Sequence, residues 1–128
     1  MKLNNEEIGR YSRHLTLPEV GMAGQLKIKK ARVLMIGAGG LGSPLGMYLG
    51  AVGVGTIGLV DFDEVDHSNL HRQIAHTTAD EGRAKVESLR DTILAGNPNI
   101  EVEIHNTRLE GNNALKLFSQ YDLSLIHI

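Results

Sequence analysis

The chain has 128 residues, with 13 Lys and Arg against 15 Asp and Glu for a net charge of −2, and it contains no cysteine. This balance leaves no basic footprint for nucleic acid or an anionic membrane surface, and the missing thiols exclude disulfides, thiolate metal sites and a cysteine nucleophile within the chain. The opening MKLNNEEIGRYS lacks the basic and then apolar profile of a signal peptide, and no apolar run approaches membrane-spanning length, so a soluble cytoplasmic protein is expected.

A helix is expected to start at Asn5-Glu6-Glu7 and run through Leu15, which sets Arg10 and Arg13 three apart on one face before Pro18 and Gly21 interrupt it. Ala23 to Lys30 reads as a second short helix, so residues 1–30 form a helical arm ahead of a unit spanning 31–128. Arg32 to Ile36 is a continuous apolar run of the kind found in strands buried on both faces. Pro44 suits the first turn of the helix that follows, and Gly46 and Gly50 would let it lie close against a sheet. Thr56 to Val60 makes a second strand. The polar stretch DFDEVDHSNLHRQ reads as a functional loop, and Glu81 to Ala95 as a helix whose stripe Val86, Leu89 and Ile93 is core, stopped by Gly96 and Pro98. Glu101 to His105 alternates like a half-exposed strand, Gly111 to Gln120 reads as a helix, and Leu123 to Ile128 closes the chain as a strand. Alternating strands and helices predict an α/β fold, a Rossmann-like parallel sheet with flanking helices and ligands beyond the carboxyl ends of its strands.

Gly37, Gly39 and Gly42 match G-x-G-x-x-G at such a strand end, where backbone N–H groups at a helix start would face an anion. The glycines alone do not separate a redox dinucleotide from ATP, and a tight strand-to-helix turn would also need small residues. Asp61, at the tip of the second strand, suits ribose hydroxyls; the simpler alternative is a solvated loop carboxylate. His67 and His71 stand four apart with His76 nearby, yet no carboxylate or thiol completes a zinc pattern, so no metal site is expected there.

RYSRHLTLP, GAGGLGS, LVDFDEVDHSNLHRQ and GRAKVESLRD, in that order from about Glu6 to Leu123, resemble the ThiF/MoeB family of adenylating enzymes related to ubiquitin-activating enzymes, and within it the molybdopterin-synthase adenylyltransferases. The resemblance implies ATP-dependent adenylation of the C-terminal glycine carboxylate of a ubiquitin-like sulfur-carrier protein ending in Gly-Gly, with release of pyrophosphate, in molybdopterin or thiamine biosynthesis. It places Gly40 in the phosphate loop with Gly37, Gly39 and Gly42, Asp61 at the ribose, and Ser68, Asn69, Leu70, His71 and Arg72 in the nucleotide-contacting segment. Lys85 matches the family's phosphate-contacting lysine, and Arg13 an arginine that reaches into the neighbouring subunit's ATP site in the family's homodimers. Arg13, Arg72 and Lys85 are thus the expected catalytic cations. A carboxylate is already a nucleophile, so the chemistry needs alignment of two anions and neutralisation of phosphate charge rather than a general base. Surface charge, or ion pairs with Asp63, Glu64 or Glu87, is the simpler reading of the same cations.

After Leu123 the family continues into a D-x-T-D-N turn whose first acid helps bind magnesium and ATP; this sequence reads Ser124-Leu125-Ile126-His127-Ile128. The family's CxxC zinc pairs and later strands have no counterpart here either. The resulting expectation is a fold incomplete at its C-terminus, with exposed apolar surface and a last five residues foreign to the gene. Rival readings are a nicotinamide- or flavin-binding oxidoreductase domain and an inactive carrier-binding or dimerisation fragment.

Overall fold

The computed structural model describes residues 1–126. Four parallel strands, β1 (Arg32–Ile36), β2 (Thr56–Asp61), β3 (Glu101–Asn106) and β4 (Leu123–Ile126), form one sheet in the order β3-β2-β1-β4. β1 and β2 have neighbours on both sides, so Val33, Leu34, Ile57 and Leu59 are buried whichever face they point to. That double burial is why their sequences run apolar without alternation. β3 lies at an edge and alternates accordingly. Its order places β4 on the opposite side of β1 from β2, which creates a topological switch point between the carboxyl ends of β1 and β4.

Helices α4 (Gly42–Val52) and α5 (Lys85–Gly96) cover one face, where Val33, Met35, Ile57, Leu59, Val86, Leu89 and Ile93 share a core. Helix α6 (Gly111–Phe118) covers the other through Leu117, with Leu34, Val60 and Tyr121. Gly46 and Gly50 serve α5 rather than the sheet: a Cβ at Gly46 would meet Ile93 Cδ1 at 3.0 Å, and one at Gly50 would meet Ile93 Cγ2 at 2.7 Å. The small residues let two helices approach, an outcome that spacing within one helix does not reveal.

The N-terminal helix expected to run unbroken instead divides at Tyr11 into α1 (Asn5–Arg10), capped by Asn4 and Glu7, and α2 (Ser12–Leu15). The cause is tertiary. Tyr11 is 2% exposed, and its hydroxyl accepts from Asn97 Nδ2 at 2.7 Å while its ring lies against Gly53 at the end of α4. Helix α3 (Gly21–Lys30) then docks through Gln25, which donates to Val52 O at 2.9 Å, and Lys29, which pairs with the buried Glu7 at 2.7 Å.

Helix α5 begins at Lys85, not at Glu81. Glu81 to Ala84 are drawn out into an antiparallel clasp with the loop after β2: Val65 N–H donates to Arg83 O at 2.8 Å and Gly82 N–H to Val65 O at 2.9 Å. Gly82 takes φ +84°, which glycine tolerates without the Cβ clash of other residues. α6 ends at Phe118, two residues before Gln120, and β4 is described only to Ile126; the expected strand at 127 and 128 lies outside the described residues. No helix among them is long and apolar enough to cross a membrane.

Candidate nucleotide site at the carboxyl end of the sheet

The glycine turn joins β1 to α4. Gly37 adopts φ +103°, a value open to glycine, and its N–H continues the ladder to Val60 O at 2.8 Å. Ala38 is fully buried and held at both ends, its N–H donating to Asp61 Oδ2 at 2.8 Å and its carbonyl accepting from His76 Nε2 at 2.8 Å. Beyond it, the N–H groups of Gly39, Gly40, Leu41 and Gly42 donate to no acceptor among the described residues, while Gly39 O accepts from Ser43 N–H at 2.8 Å. Leu41, the residue capping α4, supplies no side-chain acceptor. The positive end of an 11-residue helix and a row of free donors therefore open onto the same space. An anion satisfies both.

Each glycine has its own reason. A Cβ at Gly42 would penetrate the Gly37 carbonyl oxygen, so this position exists for close approach of helix to strand. At Gly39 a Cβ would sit 3.0 Å from Gln73 Nε2, so the room there is filled by a carboxamide of the chain itself. At Gly40 a Cβ would meet nothing within 4 Å. Among Gly39, Gly40 and Gly42, Gly40 is the one whose missing side chain leaves open space.

Asp61, expected at the ribose, has a structural part in the turn. Its Oδ2 holds Ala38 N–H and its Oδ1 accepts Asp63 N–H at 2.9 Å, so the carboxylate organises the turn and keeps its outer lone pairs for a ligand. A cleft of about 310 Å³ opens beside it, between Gly37, Asp61 and Phe62 on one side and Thr107, Arg108 and Leu109 on the other. Arg108 stacks its guanidinium over the Phe62 ring at 5.6 Å, forming part of the cleft wall. A smaller apolar slot of about 150 Å³ lies at the switch point, lined by Gly37, Leu41, Leu45 and Leu125.

The loop from Ser68 to Arg72 follows β2 and folds over Asp66. Ser68 gives both its N–H and hydroxyl to Asp66 Oδ1, at 2.9 and 2.6 Å, and Asn69 Oδ1 accepts Asp66 N–H at 3.0 Å. These bonds to Ser68, helped by the positive charges of His67 and then Lys85, hold the Asp66 carboxyl below its usual range. Leu70 closes the short turn, His71 is exposed, and Arg72 is exposed with Nη1 on Ser68 O at 3.1 Å. Lys85 starts α5 with its N–H on Asp63 O at 3.0 Å, and it is 8% exposed without an ion pair among the described residues. Arg13 and Arg72 make none either, so the ion pairs with Asp63, Glu64 or Glu87 that would have accounted for these cations do not form. The Lys85 stem is largely buried while its ammonium has no carboxylate partner among the described residues, which leaves that charge for an incoming anion.

Arg13 stands apart. It lies on α2, tethered through Tyr11 to Gly53 at the far end of α4, and α4 spans about 16 Å from the glycine turn to that end. Sequence reasoning missed Gln73 and gave His76 no structural role. Both come from the segment after Arg72 and brace the glycine turn, and no local pattern marks a partner some three dozen positions away. Among the described residues no group of three or more His, Asp or Glu could hold a metal. His67 instead pairs with Glu81 at 3.0 Å, which raises the imidazole pKa, and His76 is buried in the interior.

Comparison with known proteins agrees with this geometry. The probable adenylyltransferase/sulfurtransferase MoeZ of Mycobacterium tuberculosis (strain ATCC 25618 / H37Rv) is 59% identical over 123 residues, covering 96% of this chain and 31% of MoeZ. The adenylyltransferase and sulfurtransferase MOCS3 of Culex quinquefasciatus is 53% identical over 122 residues, covering 95% of this chain and 28% of MOCS3. The chain thus spans about a third of the length of these relatives. The crystal structure of the E. coli tRNA N6-threonylcarbamoyladenosine dehydratase TcdA in complex with ATP superposes with a TM-score of 0.92 at 26% identity, covering all of this chain and 52% of that one. With the ThiF family matching residues 11–125 over this parallel sheet and glycine turn, the chain belongs to the ThiF family.

Proposed function

We propose that this chain binds ATP with its phosphates on the amides of Gly39 to Gly42 and takes part in adenylating the C-terminal carboxylate of a partner protein. The observation that carries the reading is the row of free amides at the start of α4, facing the same rim as the unpaired Lys85. Asp61 would meet the ribose, and the cleft between Phe62 and Leu109 has room for a base. The names of MoeZ and MOCS3, both adenylyltransferases, support the same chemistry.

The carboxylate oxygen of the partner's terminal glycine attacks the α-phosphorus of ATP. The bond from that phosphorus to the bridging oxygen breaks, pyrophosphate leaves with the electron pair, and an acyl-adenylate remains. No proton moves in this step. Arg72 and Lys85 would neutralise charge as it builds on the phosphates, with Asn69 as a hydrogen-bonding positioner. Magnesium bound with the ATP would supply further neutralisation of the phosphates; among the described residues no acidic cluster holds a metal. The partner proposed is a ubiquitin-like sulfur carrier ending in Gly-Gly, of the molybdopterin or thiamine type, in the cytoplasm.

The placement of Arg13 favours a homodimer. Arg13 follows Tyr11, which packs on Gly53 at the end of α4 opposite the glycine turn, so a site in another copy is the natural place for it to serve. The outer side of α4 carries Leu45 and Tyr48, 42% and 72% exposed, beside Ile74 at 58%. Two such helices packed antiparallel about a two-fold axis would bury this stripe and bring each Arg13 towards the other copy's turn.

Carrier-dependent exchange of labelled pyrophosphate into ATP tests the reading, with exchange expected from the full-length parent protein and lost on Arg72→Ala or Lys85→Ala. Exchange indifferent to both changes overturns the roles assigned to them. Preferential binding of NAD(H) or flavin would instead identify an oxidoreductase domain, and carrier or self association without exchange an inactive binding unit.

A further inference from the structure

The buried side chain of His76 lies behind the glycine turn and takes no part in the chemistry described above. It is 4% exposed, with Nε2 2.8 Å from Ala38 O and Nδ1 2.7 Å from Ser88 Oγ on α5. A carbonyl oxygen only accepts, so Nε2 carries the hydrogen, and in the neutral ring Nδ1 accepts from the Ser88 hydroxyl. Ala38 is therefore clamped between two segments remote in sequence, by Asp61 at its N–H and by His76 at its carbonyl.

The clamp has a directional consequence. No peptide bond here is cis, and in a trans peptide the carbonyl and the following N–H point opposite ways. With Ala38 C=O held inward by His76, the N–H of Gly39 is turned outward, to the side where Gly40 and Leu41 also lack acceptors. If the carbonyl were released, the peptide could rotate and the first donor of the row would be lost to the ligand.

We infer that His76 is a positioning residue: by donating from Nε2 to Ala38 O it presets the Ala38–Gly39 peptide so that the Gly39 amide faces the phosphates of a nucleotide. The inference rests on the nucleotide-binding reading of the turn, and it extends that reading to a side chain that touches no ligand. The groups facing His76 are consistent with a neutral donor. Ser88 and Lys85 approach from α5, Asp80 from the short turn just before the clasp and Asp61 from β2; burial, and secondarily the Lys85 charge, hold the imidazole pKa below its usual value. Either protonation state keeps the Nε2 hydrogen, so the clamp does not depend on titration.

Calorimetric titration with ATP and amide NMR of the nucleotide-free chain test this together. His76→Phe fills the volume but removes the donor, and it should raise the Kd for ATP about tenfold, the size of one lost hydrogen bond. His76→Gln can return an N–H to the same carbonyl and should stay within about threefold of the original protein. Ser88→Ala, which leaves the Nε2 bond in place, should do the same. Without nucleotide, the Gly39 and Gly40 amide resonances should move in His76→Phe and return in His76→Gln. Unchanged ATP affinity and unmoved resonances in a folded His76→Phe overturn the inference, as does a folded His76→Gln as weak as His76→Phe. Were the original chain to bind no ATP, the nucleotide reading would fall, and the resonances alone would still decide whether His76 holds the peptide.

Discussion

Asp61 Oδ2 accepts the backbone N–H of Ala38 at 2.8 Å, joining the tip of β2 to the turn that follows β1. The other oxygen accepts Asp63 N–H, so one carboxylate shapes both loops at the rim. Asp61→Ala should lower stability by about 2 kcal/mol, since hydrogen bonds to an ionised acceptor exceed the neutral kind. Asp61→Asn, which retains one carbonyl oxygen, should lose about half as much. Urea denaturation measures both, and wild-type stability in Asp61→Ala would show the acid to be a ligand group only.

Gly42 and Gly40 separate folding from binding. Gly42→Ala drives a Cβ into the Gly37 carbonyl oxygen, backbone against backbone, and should cost about 3 kcal/mol or more. Gly40→Ala meets nothing and has no positive φ, so stability should change by less than about 1 kcal/mol. Its methyl group would occupy the space assigned to phosphate, and ATP affinity should fall at least about tenfold. Thermal melts beside ATP titrations of both variants give the answer. A destabilised Gly40→Ala with normal affinity would contradict the assignment.

Arg13 and Lys85 should complement each other between subunits. Arg13→Ala and Lys85→Ala are each expected to abolish pyrophosphate exchange, whereas a mixture of the two contains dimers with one site intact. Random pairing gives half mixed dimers with one good site of two, hence about a quarter of the original activity. No recovery on mixing would mean that Arg13 acts within its own chain or not at all. Tyr48→Asp, placed in the proposed seam, should shift the chain to a monomer on sedimentation.

Acid should weaken the fold through His76. Burial lowers its folded-state pKa, whereas the unfolded chain takes up its proton at a pKa of about 6.5. The unfolded state thus binds more protons in the window between its pKa and the depressed folded-state value, so this contribution is complete above about pH 6.5 and is lost progressively as pH falls from there to the folded-state pKa. His67, raised by Glu81, runs in the opposite sense, but it is fully solvated and should contribute little. Urea midpoints at pH 5.0 and 7.5 should therefore converge in His76→Gln relative to the original chain. An unchanged gap would show that His76 protonates freely in the folded state.

The sequence by itself determined the core strands β1 and β2, the glycine turn between β1 and α4, the parallel α/β class and Asp61 at a strand tip. Each is written locally: apolar runs mark strands buried on both faces, and glycine at Gly37 admits a positive φ. Tertiary structure alone decided that Tyr11 breaks the first helix, that α5 waits until Lys85, and that Gly39 makes room for Gln73 while Gly40 leaves space open. It also decided that His76 reaches back to Ala38 and that Tyr11, next but one to Arg13, packs on Gly53 at the end of α4 away from the glycine turn. The physical reason is range. Periodicity reports the side of an element a residue occupies, whereas a hydrogen-bond partner or the contents of a gap depend on segments that meet only when the chain has folded.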